Sequence, residues 1–424
     1  MKVLLINQCF YPDVVSSAQH LTDLALELVQ AGHKVTVLAG RRGYDDPNTR
    51  FPKKEVWEGV SILRIPSTGL GKGSRLFRAV DFGSFLLSCF FRLLFLPRFD
   101  TVVALTSPPL ISFLAAVFAF LKRERFYCWI MDLNPDEAII AGWLRKNSIA
   151  GKALAAMLIC STRIARKLIV LDRFMKDRLL AKGVDERKIV IIPPWSHDQH
   201  VFFCAEGRSR YRADRGWTDK FVVMYSGNHS PCHPLDTLLH AALLLADRAD
   251  IRFAFIGGGS EFGRAKAFAA EHSLQNADFL PYQPLNRLAE SLSSADLHAV
   301  VMGNPFTGIV HPCKIYNILT IGSPFLYIGP ERSHIEDIAN RLKNRRSVYS
   351  VRHGDVQSAV NSILKAQRDM QSGNRGVFQM LAAEHSKGNL ISGMIEALGC
   401  ATESSKSSRA FWSLSDIGTS SMTR

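Results

Sequence analysis

One stretch of the chain, residues 226–234, carries a glycine and two histidines directly before a helical pattern that starts with proline. Gly227 allows a close backbone approach to a ligand, and Pro234 at the first helical position leaves free amides for an anion. His233 adds a positive charge or a hydrogen-bond donor. These features predict an anion site, and the alternative is an ordinary strand-to-helix connection.

Two further stretches favour the same chemistry. Gly257, Gly258 and Gly259 form a glycine-rich turn that suits phosphate or ribose, although its spacing matches neither the dinucleotide fingerprint nor a Walker loop. His311, Lys314 and Asn317 share one face at the start of a helical pattern. A lysine there opposes the helix dipole, which makes sense if an anion lies beside it. The alternative is a lysine that extends to solvent.

Polar residues also follow strand patterns in the first half of the chain. Asp132 and Glu137 come after an apolar run, so we expect them at the carboxyl end of a strand, where open parallel sheets bind ligands. Ser16 and Ser17 lie at the start of the first helical pattern, whose N-terminus is expected to face the same cleft. The alternative is that the acidic segment serves the fold, with Asp136 capping the next helix.

Two other kinds of chemistry find little support. A metal site could be drawn from the set His229, Cys232, His233, His311 and Cys313, but the spacing matches no standard zinc finger. An Asp-x-Asp pair that would hold a metal-bound diphosphate is absent, and so is a Gly-x-Ser-x-Gly nucleophile elbow. The sequence therefore predicts no metal and no cofactor.

These residues sit on two series of alternating strand and helix patterns, which predict an α/β protein with two Rossmann-like parallel-sheet domains facing a cleft. The first series has strands at 3–6, 35–39, 61–65, 101–105, 126–131, 167–171 and 190–192, with helices at 18–31, 151–166 and 173–182. The second has strands at 221–225, 252–256, 277–280, 297–301 and 324–328, with helices at 234–246, 260–271, 285–295, 313–321, 355–370 and 377–398. We expect domains at 1–195 and 216–400, a linker at 196–215, and a disordered tail at 401–424.

The composition limits the classes of binding partner and the cellular location that we expect. The 424 residues have a formal net charge of +14, which favours an anionic partner, but no basic run is interleaved with aromatic residues as in a nucleic-acid groove. The eight cysteines are scattered and the N-terminus lacks an export signal, so we expect a cytoplasmic protein. The apolar stretches 82–97 and 102–121 are expected to be soluble core, or else a surface helix in contact with an anionic membrane.

Several of these motifs resemble the family 4 glycosyltransferases of GT-B fold, in the branch that makes bacterial cell-surface polysaccharides. The resemblance covers roughly residues 1–400 and rests on Tyr11-Pro12, the segments 31–37 and 132–136, and Pro193-Pro194-Trp195. Lys314 matches a lysine of that branch. The chain differs from the family at several positions. The family's glycine pair is replaced by Ser16 and Ser17, its arginine and lysine by Asn228 and His233, and its two glutamates by Ile309 and Asn317.

The resemblance implies a retaining, metal-independent transfer of a sugar from a nucleotide-diphosphate sugar to a lipid-linked or other glycan acceptor, at the cytoplasmic face of the cell membrane. It implies catalytic roles for His233 and Lys314. Donor contacts are expected from Gly227, Asn228, Gly257, Gly258, Gly259, Tyr282, His311 and Asn317, and acceptor contacts from Ser16, Ser17, Asp132 and Glu137. Two alternatives remain: a non-catalytic sugar-nucleotide-binding subunit, and a sugar-nucleotide 2-epimerase.

Overall fold

A computed structural model describes residues 1–43, 48–70, 75–196, 200–342, 347–370 and 376–400. The strands are β1 (Lys2–Ile6), β2 (Lys34–Gly40), β3 (Lys54–Trp57), β4 (Val60–Ile65), β5 (Thr101–Ala104), β6 (Arg125–Trp129), β7 (Lys167–Val170), β8 (Ile189–Ile191), β9 (Phe221–Asn228), β10 (Ile251–Gly258), β11 (Ala277–Leu280), β12 (Leu297–Val301), β13 (Phe325–Ile328) and β14 (Val348–Val351). The helices are α1 (Ser16–Gln30), α2 (Arg75–Phe95), α3 (Ile111–Leu121), α4 (Asp136–Ile140), α5 (Ile149–Ile164), α6 (Arg173–Ala181), α7 (Ala205–Ala213), α8 (Asp236–Leu244), α9 (Phe262–Glu271), α10 (Leu288–Ser293), α11 (Lys314–Ile321), α12 (His334–Leu342), α13 (Val356–Asp369), α14 (Gly376–Glu384) and α15 (Lys387–Ala397).

The strands form two sheets. The first has the order β3-β4-β2-β1-β5-β6-β7-β8 and is parallel except for the edge strand β3, which runs antiparallel to β4. The second has the order β11-β10-β9-β12-β13-β14 and is parallel. Continuous apolar runs such as β5, buried at all four residues, suit strands covered on both faces by helices. The predicted α/β class with two parallel sheets is confirmed.

The end of the described chain returns to the first sheet. Residues of α15 and the turn after it, among them Met394 and Leu398, belong to the apolar core around β1. Lys387 forms ion pairs with Asp23 and Glu27 of α1 at 3.6 and 3.2 Å. The sequence assigned residues up to 400 to the second domain, whereas this last helix packs on the first.

Other elements also differ from the sequence prediction. The expected linker 196–215 contains α7, which packs on the second sheet because Arg208 and Arg212 of this helix both pair with the buried Asp296. Because the sequence of α7 is mostly charged and polar, it lacks the apolar periodicity that predicts a helix. The strands β3 and β14 and the helix α12 were not predicted. The predicted helix 377–398 is two helices, and the predicted tail 401–424 lies outside the described residues.

The apolar stretches of the first half are helices of the sheet's outer layer. Helix α2 buries Phe85, Cys89 and Leu93 against the core, and α3 buries Ile111, Ala115 and Ala119. In the part of the chain that the structure describes, none of the helices combines the length and hydrophobicity needed to cross a bilayer.

Candidate functional site

The two glycine-containing loops predicted from the sequence lie side by side. Strands β9 and β10 are parallel neighbours, and Gly227 pairs with Gly257 where both strands reach their carboxyl ends. Gly257 has a φ of +133°, and a Cβ built there would be 2.1 Å from the carbonyl oxygen of Gly227. This pair of loops therefore requires glycine at residue 257 for both steric and conformational reasons.

His229 ties the two loops together. Its backbone N–H donates to the carbonyl of Gly258 at 2.7 Å, and its carbonyl accepts from the N–H of Glu261 at 3.0 Å. Its ring Nδ1 lies 3.0 Å from the carbonyl oxygen of Gly227. Burial, together with the charge of Lys314, lowers the pKa of His229 to about 4, so this ring is neutral at pH 7.

Lys314 lies beside the same loops. It is the first residue of α11, and its Nζ lies 3.5 Å from the centre of the Tyr225 ring. Nζ is buried, and among the described residues it has no hydrogen-bond partner. A Cβ built at Gly227 would lie 3.0 Å from Nζ. Burial lowers the pKa of Lys314 well below its usual value.

His233 lies next to this lysine. Its Nδ1 is 2.9 Å from the carbonyl oxygen of Val301, at the carboxyl end of β12. Burial, and after it the charge of Lys314, lowers the pKa of His233 to about 3. With both histidines neutral at pH 7, the positive charge of this site depends on Lys314, and an anion brought there would favour its ammonium form.

The first half of the chain closes this site with polar residues. Burial raises the pKa of the Cys313 thiol to about 12, and the hydroxyl of Ser16 hydrogen-bonds to it. The Cys232 sulfur lies 3.8 Å from Oε1 of Glu137. Burial, and next the neighbouring Glu137 carboxylate, raises the pKa of Asp132. The seam thus places the Lys314 amine on the side of the second sheet and carboxyl groups on the side of the first.

Hydrogen bonds to backbone carbonyls hold the two halves together beside the site. The N–H of Leu133 donates to the carbonyl of Ile309 at 2.8 Å. The Arg178 guanidinium donates to the carbonyls of Thr307 at 2.6 Å and Pro305 at 3.1 Å. Residues 305–309, which precede α11, therefore pack directly on the first half, and the site lies where the carboxyl ends of both sheets meet.

The comparisons with known proteins agree with this architecture. Residues 17–195 match the glycosyl transferase 4-like domain. The chain is 25% identical over 338 residues to the putative colanic acid biosynthesis glycosyl transferase WcaI of Escherichia coli (strain K12), covering 76% of this chain and 82% of that protein. It is 27% identical over 246 residues to the probable glycosyltransferase WbjE of Pseudomonas aeruginosa, covering 57% and 60%.

Among solved structures, Anabaena Alr3699/HepE in complex with UDP-glucose has a TM-score of 0.71 with this chain at 14% identity, covering 95% of this chain and 100% of that one. At this identity the likeness shows the fold. The chain is a glycosyltransferase of GT-B fold, and its residues 17–195 match a glycosyl transferase 4-like domain. The family and fold predicted from the sequence are thereby confirmed.

The structure of this glycosyltransferase brings most of the predicted site residues to one seam. Asn228 ends β9, and Tyr282 lies over the glycine turn with its hydroxyl 3.4 Å from the carbonyl oxygen of Gly258. Asn317 is half-buried on α11, three residues after Lys314. Ser16 and Ser17 begin α1. Their contacts with donor or acceptor remain predictions.

His311 is the predicted donor residue that lies elsewhere. Its Nδ1 is 2.7 Å from Asp172 Oδ2 and its Nε2 is 2.7 Å from the Tyr316 hydroxyl, so the protein itself engages both ring nitrogens. The ring stacks on His334 at a centroid distance of 3.6 Å. This contact pattern leaves neither nitrogen of His311 for a donor.

Two residues of the site were not assigned to the donor from the sequence. Tyr225 carries the ring against which Lys314 packs, and His229 joins the loops. Tyr225 stands near the end of an apolar strand pattern, two residues before Gly227, and this position could have suggested a place near the site. Nothing in the sequence links it to Lys314. The sequence suggested His229 only as one residue of a possible metal site.

Proposed function

We propose that this glycosyltransferase moves a sugar from a nucleotide-diphosphate sugar to a glycan acceptor in the biosynthesis of a cell-surface polysaccharide. The observation that carries the proposal is the buried amine of Lys314 beside Gly227, which has no hydrogen-bond partner among the described residues. A buried cation without a partner costs the folded protein free energy. A diphosphate is the kind of ligand that would compensate it.

The second sheet would bind the donor. Gly227, Asn228 and His233 would face the diphosphate together with Lys314. The turn at Gly257 and the ring of Tyr282 would lie near the nucleoside, with Asn317 near the ribose or the sugar. Two things support this arrangement: the convergence of these loops at the carboxyl ends of β9 and β10, and a neighbour of the same fold that was solved with UDP-glucose.

The chemistry would be electrostatic. As the bond from the sugar carbon to the diphosphate breaks, negative charge builds on the leaving phosphate, and Lys314 would stabilise that charge. Family resemblance implies that the acceptor oxygen attacks the same carbon on the same face, which retains its configuration. The acceptor's proton would pass to the leaving nucleoside diphosphate. The mechanism requires no metal, since the cation is a side chain.

The acceptor would bind on the side of the first sheet. Asp132 and Glu137 are the candidate contacts, with Ser16 and Ser17 at the N-terminus of α1. The proposal of a polysaccharide product is supported by the similarity to a colanic acid biosynthesis glycosyl transferase. A lipid-linked acceptor is favoured by the surface of the first half, where α2 and α3 expose large apolar side chains.

That surface would dock on a membrane. Phe95 and Phe120 are 81% and 68% exposed, and α2 packs on α3 through Phe90 and Phe118, whose ring centres are 5.4 Å apart. The exposed Arg98 lies at the same end of the two helices. Exposed aromatic residues with basic neighbours suit contact with anionic lipid. We therefore propose a peripheral location at the inner face of the cell membrane.

A transfer assay tests the proposal. The purified protein is incubated with a panel of radiolabelled sugar nucleotides and a membrane lipid extract from the source cells, and label in the lipid fraction is counted. The proposal predicts transfer for one donor of the panel, lost in Lys314→Met and kept in Lys365→Met, an exposed lysine of α13. An epimerised nucleotide sugar, or tight binding with no turnover of any donor, would contradict it.

A further inference from the structure

Among the residues that the structure describes, three basic side chains meet at the proposed donor site without an ion-pair partner. They are Lys314, His229 and His233. Nζ of Lys314 and Nε2 of His229 are buried, and within the described chain neither atom has a hydrogen-bond partner. The ring of His233 makes its hydrogen bond through Nδ1. The site thus collects groups that can take up a proton and supplies no negative charge to pair with them.

The hydrogen bonds of the two histidines determine which ring nitrogen carries the hydrogen. A carbonyl oxygen can only accept, so Nδ1 of His229 donates to Gly227 at 3.0 Å and Nδ1 of His233 donates to Val301 at 2.9 Å. Each neutral ring therefore has a lone pair at Nε2. A lone pair that faces a phosphate oxygen is repelled by it, and protonation of Nε2 turns the repulsion into a hydrogen bond.

The surroundings of Lys314 also favour its unprotonated form when no ligand is bound. Its Nζ lies 3.5 Å from the centre of the Tyr225 ring, and no oxygen of the described residues accepts a hydrogen bond from it. An ammonium group buried in this way lacks the hydrogen bonds that would offset its lost hydration, and burial accordingly lowers the pKa of Lys314 well below its usual value. A nearby anion acts in the opposite direction, because it stabilises the ammonium form.

Other titratable groups around Lys314 come from both halves of the chain. Across the seam, burial and next the Glu137 carboxylate raise the pKa of Asp132. A bound anion would raise that pKa further, so Asp132 is a competing site of proton uptake. The remaining neighbours stay neutral at neutral pH, because burial raises the pKa of a phenol or thiol and lowers that of an imidazole. These neighbours are Tyr225, Cys232, Cys313 and His298.

The diphosphate of a nucleotide sugar is esterified at both ends, so it lacks the ionisation at about pH 6 that a terminal phosphate has. Any proton taken up on binding near neutral pH therefore goes to the protein. We propose that donor binding is coupled to proton uptake, with Lys314 and His233 as the groups that gain the proton. The free site would be close to neutral and the occupied site cationic. This proposal rests on the proposed function, because it requires a diphosphate beside Lys314.

Calorimetry in two buffers measures this coupling. The full chain is titrated with UDP-glucose, and then with the other nucleotide sugars of the transfer-assay panel, in phosphate and in Tris, whose ionisation enthalpies differ strongly. The difference in binding heat between the two buffers gives the number of protons taken up. We expect at least about 0.5 proton at some pH between about 6 and about 9. By linkage, the dissociation constant should rise with pH by up to about tenfold per unit.

Variants assign the proton to its group. Arginine stays charged at every pH used, so Lys314→Arg should remove the uptake measured above about pH 8. Glutamine does not titrate, so His233→Gln should remove the uptake measured below about pH 7. Lys365→Met, a change at an exposed lysine of α13, should leave proton uptake and donor affinity unchanged. Far-ultraviolet circular dichroism of each variant establishes which of them are folded.

The comparison of buffers needs only the wild-type protein, so it is decisive even if a variant fails to fold. Equal binding heats in both buffers, with an affinity that does not change with pH, would overturn the proposal and leave the proposed function standing. Uptake that persists in folded Lys314→Arg and His233→Gln, or that is lost only in Asp132→Asn, would overturn it too, because the proton would then go to another group. Binding of no nucleotide sugar in the panel would overturn the proposed function and this proposal with it.

Discussion

Replacing Lys314 with methionine should shift donor affinity and protein stability in opposite directions. The Lys314 amine is buried against Tyr225 and, among the residues described, has no hydrogen-bond partner. The folded protein without donor therefore bears the cost of desolvating this group. Methionine has a similar length and no charge, so Lys314→Met removes that cost together with the group proposed to hold the diphosphate.

The magnitudes follow from the type of interaction. A hydrogen bond to a charged group contributes about 1.5–3 kcal/mol, so the dissociation constant of the donor should rise about 10- to 150-fold. An unsatisfied buried polar group costs about 1–3 kcal/mol, so the variant without donor should be more stable by about that amount. If Lys314 merely packed with its neighbours, the Lys314→Met variant would be less stable than the wild type.

The titration of Lys314 makes the free energy of unfolding depend on pH in a defined direction. The pKa of Lys314 in the folded protein lies well below its usual value because of burial, so between that value and about 10.4 the unfolded chain binds more protons. The free energy of unfolding therefore rises with pH across this window. The stability advantage of Lys314→Met should shrink as pH rises toward 10.

Calorimetric titration with nucleoside diphosphates and urea unfolding at several pH values measure both effects, with Lys365→Met as the matched control. The reasoning is refuted if Lys314→Met binds donor as tightly as the wild type. It is also refuted if affinity and stability fall together, because the lysine would then be a structural residue and the donor site would lie elsewhere.

Three further predictions address the loops, the carboxyl pair and the membrane surface. Gly257→Ala should destabilise the protein by at least about 2 kcal/mol in urea unfolding, because its Cβ would collide with a carbonyl oxygen at positive φ, whereas Gly263→Ala in an open position of α9 should not. The raised pKa of Asp132 means that its contribution to stability is lost as pH rises above the usual carboxyl range near 4, and Asp132→Asn should flatten the measured pH profile between pH 4 and 8. The double variant Phe95→Ser, Phe120→Ser should lose flotation with anionic vesicles at low salt; equal flotation of wild type and variant would contradict docking through this surface.

The sequence predicts the sheets well because buried parallel strands are short apolar runs whose ends are marked by polar or turn residues. Residues 101–105 were predicted as a strand and β5 is Thr101–Ala104; residues 277–280 were predicted and β11 is Ala277–Leu280. The elements that escaped lack this pattern. Strand β3 alternates between exposed and half-buried residues at the sheet edge, and α7 is stabilised by buried ion pairs instead of an apolar face.

The candidate site likewise has residues that the sequence could predict and residues that it could not. The loops at Gly227 and Gly257 could be predicted, because glycine and proline mark local backbone requirements that show in the sequence. The partners of His311 could not, because Asp172 and His334 come from other elements and meet it only after both halves have packed. A histidine in a promising segment has the same sequence signature whether it faces a ligand or a buried carboxylate.

The position of Ile309 explains how the donor site can differ from the family pattern without loss of the fold. Where the family resemblance places a glutamate, this isoleucine is fully buried in the core of the first sheet, and its carbonyl accepts from the Leu133 N–H across the seam. A carboxylate there would be buried among the apolar side chains that now surround Ile309, which costs free energy unless it is paired. The chain thus uses this position to hold its halves together. Under the proposed function, recognition of the diphosphate would then rest on α11, whose first residue Lys314 lies five residues further along and next to the loops of the second sheet.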